Sequence, residues 1–321
     1  MRTTLRAIAL AALAALPLGG CALGQSPGGD VAEGSLASKG SLDGVTLTVG
    51  SKEFTEQLVL CEITAVALES VGAQVKRSCG MSGSNTVRNA LTGGSIDMYW
   101  EYTGTGWITH LKQTKPINDP RQQYEAVAKA DLAQSGIRWL APAPANNTYA
   151  IATTNEKAAE LGVKTISDYA ALAKKDAKQA AFCGAAEFFG RNDGWPGVKK
   201  TYGFDLPRSA VAELALGAIY SSIDKSSPCT FGEVFATDGR IKALGLTVLE
   251  DDKRFFAVYN PSLTVRKQVM DRSPQLADII APISAALDDE ALRGLNAKVD
   301  VDGETPEQAA RDWLRAKGFI G

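Results

Sequence analysis

A single histidine, His110, occurs in the 321 residues. A Ser-His-Asp triad would have to use it, and its surroundings match no catalytic setting. Gly80-Met81-Ser82-Gly83-Ser84 approaches a nucleophile elbow but lacks the closing glycine, which leaves a hydrolase as the weakest reading. There is no Cys-x-x-Cys pair, so with one histidine the usual zinc ligand sets are missing, and neither a metal nor a cofactor is expected. No phosphate-binding Gly-x-x-x-x-Gly-Lys-Ser/Thr loop occurs. Beyond the N-terminal segment, no run approaches the roughly eighteen apolar residues that a membrane-spanning helix needs. Basic residues are not in excess. Of 34 Lys and Arg, Arg2 and Arg6 lie in the N-terminal segment, and the remaining 32 face 36 Asp and Glu, a net charge of −4. That balance argues against a nucleic-acid partner.

What is present begins with an export signal. Arg2 and Arg6 precede an almost wholly apolar run over 7–18, too short to remain as a spanning helix, so residues 1–20 are expected to be a signal peptide. The run ends in Leu18-Gly19-Gly20-Cys21, which resembles a bacterial lipobox. The resemblance implies cleavage before Cys21 and a diacylglyceryl thioether on its sulfur, a lipid anchor that is the chain's only expected link to the membrane. Residues 21–43 are rich in Gly, Ser, Asp and Ala without apolar periodicity, and are expected to be a flexible tether.

The rest is long enough for one large domain or two medium ones. Val45, Leu47 and Val49 alternate with threonines as a strand, and Leu58, Cys61, Ala65 and Leu68 then recur at helical spacing up to Gly72. A strand at 74–77, a short helix at 85–91 and a strand at 96–100 complete a β-α-β-α-β order, which implies an α/β fold with a mainly parallel sheet. A second series follows: strand 149–152, helix 167–175, strand 180–183, helices near 196–202 and 210–223, and strand 233–236. An apolar stretch near 256–265 and three helices ending at Lys317 close the chain. Two α/β lobes are expected, with a ligand cleft between them: residues 44–147 as the first part of lobe I, 148–250 as lobe II, and 251–321 as the return to lobe I.

Apart from Cys21, four cysteines remain, and an even number in an exported chain suggests two disulfides with three possible connectivities. Cys61–Cys79 with Cys183–Cys229 is favoured, because each pair then lies within one predicted lobe.

Three clusters at predicted turns combine aromatics with hydroxyls and charge: residues 50–57, 100–107 and 187–197. Together they carry a resemblance. Gly-Ser-Lys-Glu-Phe-Thr-Glu-Gln (50–57), Gly-Ser-Asn-Thr-Val-Arg-Asn-Ala-Leu (83–91), Ile-Asp-Met-Tyr-Trp-Glu-Tyr-Thr-Gly-Thr (96–105), Arg-Asn-Asp-Gly (191–194) and Ala-Thr-Asp-Gly-Arg (236–240) resemble the glycine betaine/carnitine/choline-binding proteins of osmoprotectant ABC importers. The resemblance implies the type II periplasmic-binding-protein fold, with two α/β lobes and a chain that crosses between them twice. It also implies a cage of aromatic faces around a trimethylammonium head, which has no N–H and can be held only by cation–π attraction and apolar contact. Carried over motif by motif, the cage is Tyr102, Tyr149, Phe235 (where tyrosine is usual) and Tyr259. Lys52, Thr105 and Arg191 would bind a ligand carboxylate, with Gln57 as an additional polar contact. Asn147 stands where some relatives carry aspartate. Both departures make the cage less polar, so the alternative is a binding protein of the same fold for a less polar ligand. A separate permease and ATPase are implied as partners, and a monomer is expected.

Overall fold

The structure is a computed structural model, and it describes residues 31–115 and 117–321. The expected signal peptide, Cys21 and the first part of the expected tether lie outside the described residues.

Among the described residues, ten strands form two five-stranded sheets. In chain order they are β1 (Thr46–Lys52), β2 (Gln74–Met81), β3 (Met98–Tyr102), β4 (Ile137–Trp139), β5 (Tyr149–Thr154), β6 (Phe182–Gly184), β7 (Val211–Glu213), β8 (Phe231–Phe235), β9 (Leu246–Val248) and β10 (Pro261–Arg266). One sheet has the order β2-β1-β3-β10-β4 and the other β7-β6-β8-β5-β9. The chain passes from the first to the second between β4 and β5, and returns between β9 and β10. This is a two-lobed α/β architecture with a double crossing.

The local rules explain the first lobe. Leu47 and Val49 alternate inward from β1, and both are buried. The helix Thr55–Glu69 is buried on nearly every face, because the sheet lies on one side and the helix Pro306–Ala316 packs on another. The bridge Cys61–Cys79 ties that helix to β2, and Cys183–Cys229 ties β6 to the residues leading into β8.

Four expectations are corrected. Both sheets are mixed rather than mainly parallel: β10 runs antiparallel to β3 and β4, and β5 antiparallel to β8 and β9. The strands that follow each crossing enter the sheet from its opposite end. The expected helix over 210–223 is a helix only over Leu216–Asp224, since Val211–Glu213 pairs in parallel with Phe182–Gly184 as β7. Four helices rather than three follow β10. The expected tether does not reach Asp43. Leu36 and Leu42 are 1% and 0% exposed in the lobe I core, and Glu33 bridges to Ile320. Two leucines in an otherwise polar stretch bury enough surface to hold it down.

Candidate functional site

A cavity of about 560 Å³ opens between the two sheets. Tyr102 closes β3, Tyr149 opens β5 just after the first crossing, Phe235 closes β8, and Tyr259 lies in the second crossing. All four rings line the cavity, as do Lys52, Thr105, Asn147 and Arg191. Gln57 does not. It is fully buried behind β1, where its Oε1 accepts from the backbone N–H of Lys52 at 3.3 Å.

The rings contact one another. Tyr149 meets Tyr259 edge-on with centroids 5.7 Å apart, and Phe235 lies 5.3 Å from Tyr149. Phe54, which the sequence clusters contain but which was not singled out as a site residue, stacks on Phe235 at 5.1 Å and on Tyr102 at 6.2 Å. It also lines the cavity. The missing hydroxyl of Phe235 therefore does not leave its ring loose. Gly104 matters for the same wall: a Cβ there would lie 2.6 Å from Cε1 of Tyr259 and 2.8 Å from the carbonyl oxygen of Val258, so only glycine allows that ring to approach.

Behind the rings lie buried carboxylates. Glu56, at the start of the helix Thr55–Glu69, accepts from the Tyr102 hydroxyl at 2.8 Å and from Asn147 Nδ2 at 2.9 Å, and on its other oxygen from Thr237 and Asn296. Burial pushes its pKa up, against those hydrogen bonds. Asn147 thus braces Tyr102 through Glu56. Glu101 accepts from Lys52 Nζ at 2.6 Å, from the Tyr99 hydroxyl at 2.8 Å and from the backbone N–H of Tyr102 at 2.8 Å, and it lies 2.8 Å from His110 Nε2. Burial alone would raise Glu101, but Lys52 and His110 outweigh it and hold the carboxylate well below its ordinary range. The single histidine is a support for Glu101.

Arg191 is pinned. Its Nε and Nη2 donate to the two oxygens of Asp193 at 2.8 and 2.5 Å, Nη1 donates to Glu187 at 2.8 Å, and Nη2 also reaches Thr105 Oγ1 at 3.3 Å. Four of the five guanidinium N–H groups are thereby used, leaving one on Nη1. The Tyr259 hydroxyl completes the cluster by donating to Asp193 at 2.7 Å. Lys52 Nζ and Arg191 Cζ lie 5.1 and 5.4 Å from the Tyr102 and Tyr149 ring centroids, within cation–π range.

Glu187 lies in the sequence cluster 187–197 but was not singled out as a site residue, and Glu233 lies in none of the three clusters. Glu187 joins the lobes through Ser84, with bonds of 2.6 and 3.0 Å. Glu233 lines the cavity two residues before Phe235. The period of two along a strand was the available signal for it.

Two α/β lobes joined by two crossings, with an aromatic-walled cavity between them, define a solute-binding protein of the periplasmic-binding-protein type. A family model described as the substrate-binding domain of the ABC-type glycine betaine transport system matches residues 45–316. The glycine-betaine-binding protein of Pseudomonas aeruginosa is 38% identical over 285 residues, covering 87% of this chain and 90% of that protein. The ergothioneine transport permease/ergothioneine binding protein of Helicobacter pylori is 31% identical, and the match covers 88% of this chain and 50% of that protein. The structure of apo YehZ from Escherichia coli superposes with a TM-score of 0.63 at 32% identity, covering 86% of this chain and 99% of that one. The chain belongs to the family of substrate-binding domains of ABC-type glycine betaine transport systems. These relatives are transport proteins, and binding proteins of ABC importers work outside the cytoplasm beside a permease.

Proposed function

We propose that the chain captures a trimethylammonium solute such as glycine betaine, choline or carnitine between its lobes and delivers it to a separate permease and ATPase. The observation that carries this is the convergence of Tyr102, Tyr149, Phe235 and Tyr259 on one cavity from four separate chain segments. Such faces attract a cation that offers no hydrogen bond, and a desolvated contact of this kind contributes about 2 kcal/mol. Lys52, Thr105 and the remaining N–H of Arg191 form the polar end for a carboxylate or hydroxyl. Asn147 and Gln57 act from behind, by bracing Tyr102 and β1. The relatives named for glycine betaine support the same ligand class.

The lobes divide at the crossings, with residues 44–147 and 251–321 in lobe I, joined there by the stretch that carries Leu36 and Leu42, and 148–250 in lobe II. A lipid on Cys21 would hold the monomeric protein at the outer face of the membrane. Local tethering raises the effective concentration at the permease.

Calorimetric titration of the purified protein with glycine betaine, choline, carnitine, proline betaine and ectoine tests the ligand class. The quaternary compounds should bind, and dimethylglycine, which lacks one methyl, should bind more weakly than glycine betaine. Binding of ectoine in preference to every quaternary compound would reject the cage.

A further inference from the structure

The wall of the cavity is acidic. Its lining includes the carboxylates Glu53, Glu187, Glu213 and Glu233 against the cations Lys52 and Arg191. Both cations are already paired, Lys52 with Glu101 and Arg191 with Asp193. Glu53 accepts from the backbone N–H of Gly83, and Glu187 is engaged by Ser84 and Arg191.

Glu233 is not satisfied in this way. It is 1% exposed, and its Oε2 accepts from the backbone N–H of Ala185 at 2.7 Å. Its Oε1 accepts no hydrogen bond among the described residues. On β8 it projects from the same face as Phe235, so it stands beside the cage. Glu213 and Leu214, at the end of β7, line the cavity with it. The Oε1 of Glu233 is not one of the fully buried polar atoms that lack a partner, so it opens onto the cavity, where a ligand donor can pair with it. The volume agrees: about 560 Å³ falls among pockets for drug-sized ligands, roughly 300–1,000 Å³, whereas glycine betaine is an ammonium and a carboxylate joined by one methylene.

We propose that Glu233 and the cavity end beside Phe235 form a second ligand subsite, which receives a protonated nitrogen carried on the side chain of a betaine larger than glycine betaine. The inference rests on the trimethylammonium reading above. The cage and the polar end hold the betaine head, and Glu233 Oε1 accepts from the distal N–H.

The electrostatics add a second signature. Burial pushes Glu233 up to about 8, opposed by the Ala185 N–H and Arg191 and reinforced by Glu187, with Glu213 the further acid at this end. At pH 7 the carboxyl is therefore mostly protonated, and pairing with a cation ionises it. The proton leaves to solvent as the ligand's N–H takes its place.

The experiment is calorimetry of the full mature protein at pH 7, in buffers of different ionisation heat. The ligands are glycine betaine, the α-trimethyl derivative of lysine, and the α-trimethyl derivative of norleucine, which keeps the shape and lacks the ammonium. The wild type should prefer the lysine compound over the norleucine compound by about tenfold or more, the scale of one charge-assisted hydrogen bond, and should release a proton only with the former. Glu233→Gln keeps an acceptor for Ala185 and should abolish both the preference and the proton release. If glycine betaine binds but the wild type shows no preference, or if Glu233→Gln weakens all three ligands equally, the subsite is wrong and the cage stands. If none of the three binds, both fail. Should Glu233→Gln not fold, the wild-type preference and proton release still decide the matter.

Discussion

Ser84 and Glu187 meet across the cleft, with the Ser84 hydroxyl and backbone N–H donating to the two carboxylate oxygens of Glu187 at 2.6 and 3.0 Å. Ser84 opens the helix Ser84–Thr92 of the first lobe, and Glu187 lies in the short helix Ala186–Gly190 of the second. A carboxylate at a helix N-terminus is favoured by the helix dipole. Glu187 also holds Arg191, which reaches back to Thr105 in the first lobe. One carboxylate thus fastens the lobes over the cavity.

This fastening should fail in acid. Burial would raise Glu187, but Lys52, Arg191 and the Ser84 bonds bring it down to about 2 from an ordinary 4.5. A depressed native value means the stabilisation is complete above about pH 4.5 and is lost as the pH falls toward about 2. Small-angle scattering over that interval should show the lobes parting, and Glu187→Gln should be open already and lack this step. Superimposable profiles for the two proteins would remove Glu187 from the closure.

Tyr102 and Tyr149 should respond differently to the same change. Replacing either with alanine removes a ring worth about 2 kcal/mol to a caged cation, or about thirty-fold in affinity. Tyr149→Phe should be mild, because its hydroxyl has no partner among the described residues. Tyr102→Phe deprives the buried Glu56 of a donor and should cost about 1–3 kcal/mol of stability. Paired melting and titration experiments separate the two effects, and an equal loss of stability in both phenylalanine variants would contradict this.

Arg191→Ala should act first on folding. Arg191 and Asp193 are 8% and 5% exposed, and breaking a buried pair from one side costs about 3–5 kcal/mol. In protein that still folds, glycine betaine should lose more affinity than choline, which has no carboxylate. An unchanged ratio of the two affinities would take Arg191 out of ligand contact.

Gly104→Ala tests the wall itself. Its new methyl would sit 2.6 Å from the Tyr259 ring, and overpacking of this kind costs about 1–3 kcal/mol. The displaced ring should weaken binding as well, whereas a variant with wild-type melting and affinity would show the contact to be slack.

For the anchor, Cys21→Ala should leave the precursor unprocessed or release the protein from the membrane fraction, with ligand binding retained. Wild-type protein found wholly in the medium with an unmodified Cys21 would reject the lipid.

The elements that carry the site were legible because their signals are local. Leu47 and Val49 mark β1 by alternation, and the turns after β1 and β3 hold the residues that face the cavity. What stayed hidden depends on distant partners. Val211–Glu213 is a strand only because β6 lies beside it, and Leu36 and Leu42 look like loop residues until the first-lobe core covers them. Glu56 and Glu233 are ordinary acids in the sequence. Their significance comes from burial, which no short-range pattern records. Arg191 was visible as a cation, but the loss of four donors to Asp193, Glu187 and Thr105 was not.

The position of β10 sets the order in which the molecule can be completed. It lies between β3 and β4, and Thr264 Oγ1 donates to the carbonyl of Tyr99 from 165 residues away. The second sheet is built from one uninterrupted stretch of chain, so it can assemble as soon as that stretch is free. The first sheet keeps a gap between β3 and β4 until β10 arrives after the whole of the second sheet, and closing so long a loop is slow. In a chain made from its N-terminus this arrangement works as a timer: the first lobe waits, incomplete, while the second assembles, and the cleft takes shape only once β10 has docked.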